Sequence, residues 1–69
     1  MNRNQFLRAL TGYCGEHGLP KPRFDSRRGK GGHGVVWIGQ KFMVVPSGEL
    51  KRGAQEGIMK GLGLPKDAV

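Results

Sequence analysis

Glycine and proline decide how this chain can be divided. Gly15, Gly18, Pro20 and Pro22 close a first segment, and glycines crowd between Gly29 and Gly34. Gly39 separates two apolar runs, Pro46 and Gly48 end the second, and Gly63 and Pro65 close the last segment. Glycine adopts backbone conformations that other residues resist, and proline cannot continue a helix. The pieces between these breaks are short, so 69 residues divide into a few small elements.

The pieces read as helix, strand, strand, strand, helix. Asn2 or Asn4 can cap a first helix running to about Gly15. Phe6, Leu10, Tyr13 and Cys14 recur along it at helical spacing, with Leu7 on the flank. A short strand is expected near Arg23-Phe24-Asp25. Val35 to Ile38 is rich in β-branched and aromatic residues and reads as a second strand. Gly39-Gln40 suits a two-residue type II′ turn, and Lys41 to Val45 returns as the third strand. Trp37, Phe42 and Val44 are candidates for packing, on a face that the register decides.

A last helix is expected from Glu49 or Leu50 to Leu62, with Leu50, Ala54, Ile58 and Leu62 as one apolar stripe. Gly53, Gly57 and Gly61 weaken it by roughly 1 kcal/mol each relative to Ala, so it depends on docking to the sheet. Gly63 is a natural C-cap, and Pro65 to Val69 reads as a loose tail. The expected class is α+β, in the order α-β-β-β-α. Two helices lie on one face of a three-stranded antiparallel sheet, and the other face stays open to bind something. Residues 1–69 make one small domain, whose marginal core a partner protein would reinforce.

Composition narrows the function. The single cysteine, Cys14, allows no intramolecular disulfide and suits a reducing cytoplasm. The acids Glu16, Asp25, Glu49, Glu56 and Asp67 are scattered, so neither a metal nor another cofactor is expected. The stretch Met1 to Gln5 has no apolar core of a signal peptide, and the apolar runs are too short for a bilayer. Twelve Lys and Arg face five Asp and Glu, a net charge of +7. The excess peaks at Lys21, Arg23, Arg27, Arg28 and Lys30, opposed only by Asp25. Such a balance points to nucleic acid or an acidic protein partner. Broken by Gly and Pro, the stretch forms no amphipathic helix for a membrane.

The chemistry centres on His33. It ends a cationic, glycine-rich connector, Arg27-Arg28-Gly29-Lys30-Gly31-Gly32, and precedes Gly34 and the second strand. Histidine's ordinary pKa is nearest neutrality, so it can take and give a proton. RNA carries its own nucleophile, the 2′-hydroxyl. A positioned histidine that moves its proton contributes about 10² to 10⁴-fold. Lys30 and the N–H groups of Gly31 and Gly32 can meet charge on phosphorus. A solvated turn residue is the plainer reading of His33. Lys21, Arg23, Arg27, Arg28 and Lys30 are the candidates for the RNA backbone. His17 suits the C-terminal end of helix 1, with a second catalytic histidine as the alternative, and Tyr13 and Glu16 lie near it. Trp37 either fills the core or a partner interface, or stacks on a base.

These residues together resemble the HicA toxins, small mRNA interferases of bacterial toxin–antitoxin pairs. The resemblance runs from about Gly29 to Leu64. It rests on Gly-Lys-Gly-Gly-His33, the hairpin Val35 to Val45, Pro46, Glu49-Leu50-Lys51-Arg52-Gly53, and Ile58-Met59-Lys60-Gly61-Leu62-Gly63-Leu64. It implies a double-stranded-RNA-binding-domain-like fold, ribonuclease activity, and a catalytic histidine at His33. It also implies a HicB-like antitoxin that blocks the site, with the free toxin monomeric. Three departures stand out: Gly32 replaces the usual Ser or Thr before the histidine, and Ser47-Gly48 replaces a frequent His after the proline. The segment before His33 is also long. The antitoxin is expected on the open sheet face, with Trp37 or Met43 as apolar anchors and acids against the basic rim. Two readings without catalysis stand beside this one: an RNA-binding module using the Lys21–Lys30 surface, and a cationic module for an acidic protein.

Overall fold

Helix α1 spans Arg3–Glu16 and strand β1 spans Arg23–Asp25. Strands β2 and β3 span Gly34–Ile38 and Lys41–Val45, and helix α2 spans Arg52–Gly61. The computed structural model describes residues 1–27 and 32–69. The order is the expected α-β-β-β-α, around one antiparallel sheet ordered β1-β2-β3.

Asn2 caps α1. Its Oδ1 accepts the Gln5 N–H at 2.8 Å, and the Gln5 Oε1 accepts the Asn2 N–H at 2.9 Å. This reciprocal pair satisfies two donors that a helix start leaves open. The helix runs through Gly15 to Glu16, with His17 as its C-cap and Gly18 beyond it at φ +67°. Both helices stop in one way. Gly18 and Gly63 take positive φ, and the Leu after each donates back: Leu19 to the Cys14 carbonyl and Leu64 to Met59, both at 2.9 Å. Each Leu then packs against the core, and a Pro follows it. That is the Schellman ending with its apolar contact.

Helix α2 starts later than the sequence suggests. The Leu50 N–H donates to the Met1 carbonyl at 2.7 Å, and Asn2 and Glu49 form an isolated bridge. The Arg3 N–H donates to the Gly48 carbonyl at 3.0 Å. Residues 48–50 are thus lashed to the start of α1. Leu50 still enters the core, but it does not set the helical phase. Ala54 is consequently exposed, and Met59 takes the buried place beside Ile58 and Leu62.

The register pairs Phe24 with Val36 and Val36 with Met43. Ile38 pairs with Lys41 across Gly39-Gln40, where Gly39 has φ +62° as the first residue of a type II′ turn requires. Alternate residues face opposite sides. Val36, Ile38 and Val45 join Phe6, Leu10, Cys14, Leu50, Ile58, Met59 and Leu62 in the core. Both helices therefore lie on one face. Met43, expected on the open face, packs on the helix side, with its sulfur against Gly61. Phe42 and Val44, candidates for packing, point away and are exposed, and half-buried Trp37 shares their face. The last residues are not a loose tail: Ala68 and Val69 pack against the core. Among the described residues no helix is long and apolar enough to cross a membrane.

Candidate functional site

His33 is exposed on the approach to β2, between two glycines that serve different needs. Gly32 has φ +81°, a conformation that L side chains rarely adopt. Gly34 is buried, and a Cβ there would overlap the Phe24 ring, with Cε1 at 2.7 Å and the Asp25 carbonyl oxygen at 3.1 Å. One glycine shapes the backbone before the histidine, and the other lets β2 press against β1 directly after it.

A side chain from α1 holds this approach. Arg3, in the first turn of α1, donates from Nη1 to the Gly32 carbonyl at 3.1 Å. Its guanidinium carbon lies 4.9 Å from the centre of the Phe24 ring. Such a cation–π contact contributes about 0.5–1 kcal/mol at an exposed site. Phe24 thus carries Arg3, and Arg3 grips the peptide just before His33. Ser47, after β3, has its Oγ 3.0 Å from where a Cβ of Gly32 would be. The sequence reading missed Arg3 and Ser47 as site residues. One signal for Arg3 was available: a cation in the first turn of a helix opposes the macrodipole and calls for another role.

The candidate RNA-backbone cations divide. Arg28, Lys30 and Gly31 lie outside the described residues. Lys21 is exposed just before β1, and Arg23 is exposed on β1 in register with Trp37. Arg27 follows β1 in a turn that Asp25 organises. The Asp25 carboxylate accepts the Arg27 N–H at 2.8 Å, and the Arg27 Nε lies 3.8 Å from it. On α2, Arg52 pairs with Glu56 at 3.2 Å, as i,i+4 residues on a solvated helix do.

His17 is not brought to His33. It caps the far end of α1, donates its N–H to the Tyr13 carbonyl and stacks on the Tyr13 ring at 4.1 Å. Arg3 begins the same helix and touches Gly32. At 1.5 Å per residue, helix α1 puts His17, Tyr13 and Glu16 roughly 15–20 Å from that contact. The role of helix-end residue fits His17, and that of a second catalytic histidine does not. Cys14 is fully buried, and burial pushes its thiol pKa up. Among the described residues no group of three or more His, Cys, Asp or Glu is placed to hold a metal ion. A scan against protein-family models and searches of curated proteins and solved structures found no match to this chain.

Proposed function

We propose that this chain is an endoribonuclease of the HicA toxin type, acting in the cytoplasm on mRNA without a metal. His33 is its acid–base residue, and a HicB-like antitoxin holds it inactive. The observation that carries this reading is the built approach to an exposed histidine. Arg3 grips the Gly32 carbonyl, Gly34 leaves no room beyond it, and His33 between these two glycines is exposed. A solvated turn histidine needs none of this support. The hydroxyl that HicA toxins carry before their histidine is missing at Gly32, and Ser47, just after β3, has its own hydroxyl 3.0 Å from where a Cβ of Gly32 would be.

In the proposed reaction His33 takes the proton of a 2′-hydroxyl as that oxygen attacks the adjacent phosphorus. The bond from phosphorus to the 5′ oxygen breaks, that oxygen takes a proton from water, and His33 afterwards returns its own proton to water. The products are a 2′,3′-cyclic phosphate and a 5′-hydroxyl. Cations of the connector meet charge on the phosphate. An antitoxin with acids at its interface covers the same positions, so antitoxin and RNA exclude one another. The complex also melts at a higher temperature than the free toxin, because the antitoxin binds only the folded state.

The test is incubation with end-labelled RNA in EDTA, native chain against His33→Ala. The native chain is expected to cut and the variant to leave the RNA intact with an unchanged circular dichroism spectrum. Native-rate cutting by the folded variant removes His33 from catalysis. Binding with no cutting by the native chain would make it an RNA-binding module instead.

A further inference from the structure

The face of the sheet turned away from the helices has two rows across the strands. Arg23, Trp37 and Phe42 form one, and Asp25, Val35 and Val44 form the other. Phe42 is 59 % exposed and Val44 47 %. Beside Trp37 an open hollow of about 480 Å³ is lined by Arg23, Phe24, Asp25 and Trp37 itself. Two aromatic rings side by side next to a cation, on a chain of charge +7, are the parts of a nucleic-acid stacking site. The acid in the second row, Asp25, has its charge met by Arg27.

We propose that this face is a stacking platform for single-stranded RNA. One unpaired base lies on the Trp37 indole and a neighbouring base on the Phe42 ring, with Arg23 beside them for the phosphate. The choice of RNA as ligand rests on the ribonuclease reading, but the platform is separate from the His33 chemistry. Adjacent strands lie about 4.8 Å apart, which places the two rings within reach of successive nucleotides. A duplex hides its base faces in the stack, so the platform selects unpaired strands. A second copy of the chain fits less well. A stable protein interface buries about 800 Å² on each side, and this patch is three apolar side chains, Trp37, Phe42 and Val44, with Val35 buried beside them and Arg23 and Asp25 along its β1 edge.

Trp37 is the single tryptophan, so its emission reports on the platform directly. The probe is a short oligoadenylate with every ribose 2′-O-methylated, which offers no 2′-hydroxyl to attack. Titrated into the full chain, it is expected to quench Trp37 along the binding curve, and a duplex of equal length is not. Phe42→Ala should weaken binding at least about fivefold with an unchanged melting temperature, and Phe42→Tyr, which keeps a ring, should restore it. Binding seen by anisotropy with unmoved Trp37 emission and unchanged affinity in Phe42→Ala overturns the platform. So does emission that changes with protein concentration alone, the mark of self-association. His33-dependent cutting of unmodified RNA without Trp37 quenching overturns the platform and leaves the ribonuclease reading standing. Quenching without any cutting of unmodified RNA keeps the platform and overturns the ribonuclease.

Discussion

Val36 and Trp37 are neighbours on β2, yet Val36 is fully buried under the helices and Trp37 is half-buried on the opposite side. The same contrast runs across β3, where Val45 is buried and Val44 is 47 % exposed. Strand residues alternate, so a sheet with all its helices on one side has a face that makes the fold and a face that answers to something else. The helix side holds every residue of the core cluster. The open side keeps aromatic and apolar side chains that contribute little to that core. In so small a chain, exposed apolar surface of this kind points to a binding role.

Substitutions separate the two faces. Phe6→Ala removes a fully buried ring and is expected to cost about 3–5 kcal/mol, while Phe42→Ala changes stability by about 0.5 kcal/mol or less. Urea midpoints measure both, and equal losses would erase the distinction between the faces. Gly34→Ala comes next. Its Cβ points to the helix side and into the Phe24 ring, so a loss of about 1–3 kcal/mol is expected. Arg3→Met should cost less than about 1 kcal/mol in stability but slow RNA cutting about tenfold or more, because the peptide before His33 is no longer held. A rate unchanged at saturating RNA would show that Arg3 does not position the histidine.

The smallest effect belongs to Cys14. Burial raises its thiol pKa, so the folded chain keeps the proton to higher pH than the unfolded chain does. Stability from this source is complete below the ordinary thiol range and falls as pH rises from there toward the raised value. Urea midpoints at neutral pH and at about pH 9.5 should therefore fall more in the native chain than in Cys14→Ala. An equal fall in both would assign the alkaline loss to other groups.

The element order and the hairpin were legible because local chemistry governs them. Glycine and proline mark the ends, Asn2 is one of the two cap candidates and forms the cap, and Gly39 makes the turn. The faces of the strands were not. Val35 to Ile38 is apolar at every position, so a period of two has nothing to register, and Trp37 and Phe42 look like core residues. One member of the α2 stripe, Ala54, was misplaced for a related reason. Leu50 reaches the core through a segment bonded to Met1, a contact between residues far apart in the chain. The site divides in the same way. His33 and its glycines are visible as a local pattern, whereas Arg3, Phe24 and Ser47 meet it only through the fold.

The most direct measurement compares two labelled RNAs of one sequence in EDTA, one unmodified and one 2′-O-methylated at every ribose. The native chain should cut the unmodified strand, leaving 2′,3′-cyclic phosphate ends, and leave the methylated strand whole. His33→Ala should cut neither while melting like the native chain. Cutting of the methylated strand, or cutting of the unmodified strand by His33→Ala at the native rate, would contradict a histidine that activates the 2′-hydroxyl.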